Sequence, residues 1–391
     1  MRSLTSALLL VPLSALAQTW VQLPDLPGTP RDDAASFSMI GKVFVGTGLD
    51  TSFALRNDWF AFDEWSSTWD IVAPLPATGR QYCSTFQVDG YAYLFGGIDG
   101  NGPLNELWRY DPVNDTWEQR ASLPAPGRYA STVIDDIQFG FICTGMLAGG
   151  IPTNETWRYD PSIDTWIQRA SLPGPSRHRA SFAGGQLIGG ADSAFQALSD
   201  AYLYTALTDT WTQQQDIPLA RFAADGVDGF LIGGASDLAT VHADVLNYHW
   251  TTETWSASTF PSFAGGPRRG GVSGITTVLA DAGLIYYGTG SDNLQRYNDW
   301  WRLFFETGIE ERIDDVINVR PNPATDHITL SSAALLAGLQ CDLVDDLGRT
   351  VISTSVPLDG LVELRSLVPG RYTILVHGRD LILRSSFIKL P

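Results

Sequence analysis

The chain has 391 residues, 44% apolar and 17% charged, with a formal net charge of −18 at pH 7. A surface this acidic repels phosphate backbones and anionic headgroups, which argues against nucleic acid and membrane surfaces as partners. Glycine (38) and tryptophan (13) are abundant and no long stretch keeps a helical period, so the composition points to an all-β chain large enough for more than one core.

The first element is an export signal. Arg2 supplies a basic start, "SALLLVPL" an apolar run and Ala15-Leu16-Ala17 a small-residue cleavage site. The run is too short to span a bilayer, and no later run is long enough. A signal peptide over 1–18 is therefore expected, with a mature chain that is secreted or held at the cell surface and has no transmembrane segment.

From there the chain repeats. Trp20, Trp69, Trp117, Trp166, Trp211 and Trp255 follow one another at 49, 48, 49, 45 and 44 residues. An apolar run in each unit ends on a glycine (Gly48, Gly97, Gly145, Gly190, Gly234, Gly290), preceded by Gly or Thr. An aromatic residue follows (Phe62, Tyr110, Tyr159, Tyr204, Tyr248, Phe304), and in the first five units a tryptophan stands seven residues later. Runs such as "YAYLF" suit a pleated, packed surface. "DPVNDTW" and "DPSIDTW" are turn-forming. Each unit thus reads as four antiparallel strands. The sixth lacks its tryptophan, with Glu311 in that place, while "TWVQLPDLPGTPR" at the mature N-terminus has a fourth strand to spare. The first strand is expected to complete the last sheet, which protects two open edges together.

The glycine pair, the Tyr-x6-Trp spacing and the six units resemble kelch repeats over residues 19–307. That resemblance implies an all-β, six-bladed propeller closed by its N-terminal strand. Cys83, Cys143 and Cys341 lie in strand-like runs. Three cannot all pair, so buried thiols are expected rather than a Cys83–Cys143 bridge.

After a linker at 308–316 the repeat stops. Short alternating strands with turns at "PNP" (321–323), "DLGR", "VPGR" and "HGRD" predict a small antiparallel sandwich over 317–391. "PNP", Gly348-Arg349 and "VPGRYTILV" together resemble the C-terminal sorting domain of the type IX (Por) secretion system. That resemblance implies the secretion machinery as a partner and passage through periplasm and outer membrane.

In the repeats, the link between consecutive units and the loop after the second strand emerge on one face. Those links carry Arg31, Arg80, Arg128, Arg177, Arg221 and, in the sixth, Arg268 with Arg269 as its rival. A ring of six would suit an anionic ligand, an acidic glycan or an acidic protein segment, because guanidinium forks match carboxylates. Tyr82, Tyr129, His178 and Phe222 stand beside it for stacking. The competing reading pairs each arginine in place with Asp58, Glu106, Glu155, Asp200, Asp244 or Asp299. An enzyme reading rests on resemblance to kelch-type N-acetylneuraminate epimerases, with Arg80, Arg128 or Arg177 and Glu106 or Glu155 as the nearest groups. A surface protein without a pocket is the third reading.

No cofactor or metal is expected. The five histidines (His178, His242, His249, His327, His377) have no ligand spacing with each other or with a cysteine. The residues a galactose-oxidase-type copper centre needs cannot be assembled. "GIDGNGP" (97–103) reads as a turn rather than a calcium loop, and "GGPRRGG" (265–271) lacks the strand–helix context of a phosphate loop.

Overall fold

The computed structural model describes residues 19–136, 138–257, 260–279, 282–306, 318–331, 336, 339–345, 350–357, 359–377 and 382–390. The expected signal peptide (1–18) and linker (308–316) lie outside the described residues. Two compact units divide the chain, Met1–Phe305 and Glu306–Pro391.

All secondary-structure elements among the described residues are strands. The first unit contains six four-stranded antiparallel sheets. Their inner strands are Ala35–Met39, Ser84–Val88, Thr132–Ile134, Ser181–Ala183, Asp225–Val227 and Val272–Leu279. In the first five sheets the strands follow chain order from inner to outer edge. In the sixth, Val272–Leu279, Ala282–Gly288 and Trp300–Glu306 are joined by Trp20–Leu23, with Trp20 opposite Leu303 and Leu23 opposite Trp300.

The seven-residue aromatic spacing has a register cause. Tyr110 lies directly across the outer hairpin from Trp117, as Tyr159 does from Trp166 and Tyr204 from Trp211. Their ring centroids are 4.9, 5.1 and 4.9 Å apart. Each tyrosine hydroxyl donates to the aspartate of the turn between them, Asp115, Asp164 or Asp209, at 2.6–2.7 Å. That aspartate also accepts the N–H of Ala73, Ala121 or Ala170, in the segment leaving the preceding sheet. The tryptophan Nε1 donates to the carbonyl of the same alanine at 2.7–2.9 Å. One Tyr–Asp–Trp set thus buries aromatic area and satisfies both polar groups of a linking peptide, so sheet follows sheet in fixed register.

The glycine pair closes the next layer. Its first residue has positive φ in all six units, whether glycine (Gly96, Gly189, Gly233) or threonine (Thr47, Thr144, Thr289, φ 56–61°). A left-handed threonine is strained, and the surrounding hydrogen bonds hold it. The second glycine donates its N–H to the carbonyl of the next sheet's repeated arginine: Gly48 to Arg80, Gly97 to Arg128, and onward until Gly290 of the sixth sheet reaches Arg31 of the first.

A tighter cycle lies inside it. Two residues past each arginine stand Asp33, Tyr82, Ala130, Arg179, Ala223 and Gly270, all with φ of 51–59°. Each donates its N–H to the carbonyl of the preceding member at 2.8–3.0 Å, and Asp33 donates to Gly270. Six amides form one loop of hydrogen bonds across the centre of the unit.

In the second unit, Asn318–Arg320, His327–Ser331 and Leu361–Glu363 form a three-stranded sheet. Thr350–Ser355, Gln340–Asp345, Gly370–His377 and Ile382–Lys389 form a four-stranded one, in that order. One core that includes Ile328, Leu343, Val362, Ile374 and Phe387 joins them. Cys83, Cys143 and Cys341 are all free thiols, and burial pushes Cys83 and Cys143 up to about 12, so both stay protonated.

Candidate functional site

The six repeated arginines are 0–1% exposed. Each forms an ion pair with the carboxylate that the sequence set near it: Arg31–Asp58 at 2.6 Å, Arg80–Glu106 at 2.8 Å, Arg128–Glu155 at 2.7 Å, Arg177–Asp200 at 2.6 Å, Arg221–Asp244 at 2.9 Å and Arg268–Asp299 at 2.8 Å. Several also donate to the carbonyl of the left-handed first residue of the glycine pair: Arg31 to Thr47, Arg177 to Gly189, Arg221 to Gly233. These guanidiniums are buried against protein carboxylates and do not line an open mouth, although Arg128 Nε and Nη1 and Arg268 Nε find no acceptor. At Glu155, hydrogen bonds from Trp157 and Arg128 outweigh burial and hold the carboxyl below its ordinary value. Arg80 and Arg128 are thus each bound to a carboxylate, Glu106 or Glu155, that is itself about a third exposed, and neither pair lines the cavity described below.

The chemistry of this face comes from the residues one and two positions past the arginines. Around the amide loop, Arg179 donates to the Tyr82 hydroxyl and stands 3.3 Å from Asp33, with its guanidinium 4.5 Å above the Tyr82 ring. Tyr129 packs beside Tyr82, ring centroids 5.6 Å apart. Asp32 accepts from Arg296 at 2.5 Å and has Arg269 at 3.9 Å. Three arginines therefore meet two aspartates at the centre. Burial raises the Asp33 carboxyl and the Tyr82 phenol, against the lowering effect of Arg179 on each.

Above this plug lies a cavity of about 180 Å³, lined by Tyr82, Arg179, Phe195, Phe222, Asp237, Leu238, Arg269 and Asn293. Arg269 keeps 24% of its side chain exposed and donates to Asn293 at 2.5 Å. Phe195 and Leu238 stand exposed at loop tips. Asp237 is held below its ordinary value by the N–H groups of Ala239 and Thr240. Cations at the base with aromatic and aliphatic walls suit a small anion bearing an apolar body.

His178 is fully buried beneath the rim, edge-on to Phe195 at 5.0 Å, with neither ring nitrogen hydrogen-bonded. Burial, with Arg179 adding repulsion, lowers it to about 4. A folded-state value below the unfolded one means the unfolded chain takes up the proton first, so stability falls as pH drops from about 6.5 toward 4. His178→Phe should remove about 2–3 kcal/mol of that loss. Urea titrations at pH 7.5 and 4.5 check this: equal pH dependence in both proteins would contradict it.

Of the site residues expected from sequence, Tyr82, together with Phe222 beside it, lines the cavity. Tyr129 packs on Tyr82 and His178 on Phe195, and the six arginines are buried in ion pairs with protein carboxylates. Arg179, Asp33 and Asp32 were missed, and Arg269 entered only as the rival of Arg268. Their signal was a break in the repetition: where one unit has Ala130 or Ala223, others have Asp33, Tyr82 and Arg179.

Residues 10–187 match the KLHDC2/KLHL20/DRC7 Kelch-repeats domain model. Kelch-like protein 35 of Homo sapiens is 35% identical over 108 residues, 28% of this chain and 18% of that protein. N-acetylneuraminate epimerase of Yersinia pestis is 29% identical over 140 residues, 33% of this chain and 34% of that protein. The chain thus spans about a third or less of the length of these curated relatives. The solved structure of YjhT superposes with a TM-score of 0.58 at 16% identity, over 71% of this chain and 96% of that one, a likeness of fold alone. Taken with the strand pattern, these matches support a kelch-repeat β-propeller fold for the first unit.

Proposed function

We propose that this kelch-repeat propeller has six blades, closed by its N-terminal strand, and that it is an exported binding module. Its ligand is a carboxylate-bearing glycan or protein segment, and its second unit is the type IX sorting domain that carries it outward. The observation that carries the binding reading is the cavity over Arg179 and Arg269. It is the place on the arginine-bearing face where cationic side chains border a space large enough for a ligand group. Phe195, Phe222 and Leu238 supply apolar contact, and the excess of arginine over aspartate beneath favours negative charge.

Calorimetric titration of the mature chain with N-acetylneuraminate, short acidic peptides and neutral oligosaccharides tests this. The acids should bind and the neutral sugars should not. Arg269→Gln should weaken binding tenfold or more, since a hydrogen bond to a charged group contributes about 1.5–3 kcal/mol. Equal affinity of the variant, or binding of neutral sugars alone, would refute the reading.

A second reading is a sugar-acid epimerase, favoured by relatives that carry that name. Arg179 would hold the carboxylate, and Tyr82 with Asp33 would be the nearest proton-carrying groups. Anomeric exchange of the bound sugar acid followed by NMR separates the two.

A further inference from the structure

The cavity over Arg179 and Arg269 is one part of a longer apolar feature. The loops joining second to third strand in the fourth, fifth, sixth and first sheets carry Phe195, Leu238, Leu294 and Phe53 at their tips, 37, 70, 92 and 75% exposed. These sheets follow one another around the unit, since Gly290 of the sixth bonds to Arg31 of the first. Asn293 donates through Nδ2 to the Leu238 carbonyl at 3.2 Å, which ties the fifth and sixth loops together. The Phe195 ring lies 6.3 Å from that of Phe222, on the link into the fifth sheet. Ile151 continues the series into the third sheet, and the second breaks it with Gly100-Asn101-Gly102.

Two of the four residues are held at a backbone cost. Phe53 and Phe195 have φ of 60° and 58°, the left-handed region that disfavours a bulky side chain. Each stands three residues past the loop aspartate, Asp50 or Asp192, and donates its N–H to the carbonyl of that residue at 3.0–3.1 Å. The second sheet fills this position with Gly102, φ 130°, which carries no such penalty. Phe53 recovers little of the cost within the fold: three-quarters of it is open to solvent, with the Arg296 guanidinium 4.8 Å from its ring. A strained and exposed aromatic residue, where glycine would serve, points to a contact made outside the chain.

Charge and size select the partner. Arg179 and Arg269 border the cavity and Arg296 lies against Phe53, three cations over Asp32 and Asp33. Hydrocarbon thus frames a positive centre. The cavity of about 180 Å³ is smaller than the roughly 300–1,000 Å³ that encloses a whole small molecule, whereas the apolar tips run past it onto the sixth and first sheets. Phenylalanine can stack on a sugar ring, but leucine offers neither a flat face nor a partner for hydroxyls. We propose that the occupant is an extended protein segment. One Asp or Glu side chain of that segment seats over Arg179 and Arg269. Aliphatic or aromatic side chains on either side of it pack against Phe195 and Leu238 at one end, and against Leu294 and Phe53 at the other. This rests on the reading of the cavity as a carboxylate site and narrows its ligand from glycan or protein to protein. Apolar anchors around a desolvated charge are the composition that concentrates binding energy at protein interfaces.

The test titrates the mature full-length chain by calorimetry with three probes: capped peptides with a central Glu flanked by Leu and Phe, the same peptides flanked by Ser and Thr, and N-acetylneuraminate. The Leu/Phe peptides should bind about tenfold tighter than either other probe. Phe53→Gly should weaken them about fivefold or more, yet melt at or above the parent, because glycine relieves the left-handed backbone. Lost contact is thereby told apart from lost fold. Leu294→Ser should weaken the same peptides. Equal affinity for the two peptide sets, or a Phe53→Gly variant that binds like the parent, would overturn the proposal and leave the carboxylate reading standing. Tighter binding of N-acetylneuraminate than of any peptide would also overturn it and assign the site to a glycan. If a central Gln serves as well as Glu, or no acid binds, the carboxylate reading falls and this one with it.

Discussion

Arg177→Ala is expected to cost the first unit about 3–5 kcal/mol, the loss typical of removing one partner from a buried ion pair. The Arg177 guanidinium is fully enclosed. It donates to both Asp200 oxygens at 2.6 Å, to the Gly189 carbonyl at 2.9 Å and through Nε to Pro175 at 3.1 Å. Truncation strands a carboxylate that is 16% exposed and an acceptor carbonyl on the left-handed Gly189. The melting temperature should drop by about 10 °C or more. Arg177→Lys keeps the charge and loses the fork, so it should recover only part. Arg120, which pairs with Glu118 and Asp164 nearer the surface, is the control: its alanine variant should lose about 1 kcal/mol or less. A variant at 177 no more harmful than the one at 120 would mean that the arginine ring contributes little to holding the sheets.

Trp20→Ala is expected to cost a similar amount, about 3–5 kcal/mol. Trp20 is 8% exposed, sits edge-on to Phe263 at 5.1 Å and donates through Nε1 to the Pro261 carbonyl at 3.1 Å. It anchors the strand that pairs with Trp300–Glu306. Removing residues 19–23 outright does more, because the edge of Trp300–Glu306 is then bare and free to pair with another chain. That deletion should self-associate in size-exclusion chromatography, whereas Val21→Ala, at a half-exposed position on the same strand, should stay within about 0.5 kcal/mol of the parent. A monomeric deletion protein with an unchanged melting curve would deny the strand its closing role.

The periodic part of the molecule was legible because its physics is local. Tyr110 and Trp117 meet because a hairpin of fixed length puts residues seven apart opposite each other, and Asp115 lies in the turn between them. The same logic announced that the sixth unit lacked its last strand and that the segment around Trp20 held one. The arginine–carboxylate pairs were visible too, as two residue types recurring in step. Whether those arginines faced a ligand or the protein was not, since both arrangements leave the same repeat in the chain.

Tertiary structure decided that question, and decided where the repetition fails to matter. The amide loop brings Asp33, Tyr82 and Arg179, nearly 150 residues apart in sequence, to one centre, and a hydrophobic repeat says nothing about side chains at positions that differ from unit to unit. Sequence therefore determined the strands, their order and their aromatic fastening, because each is set by spacing within one unit. Only the folded first unit determined which charges pair within it and which border an open cavity, because that depends on distances between units that no local pattern encodes.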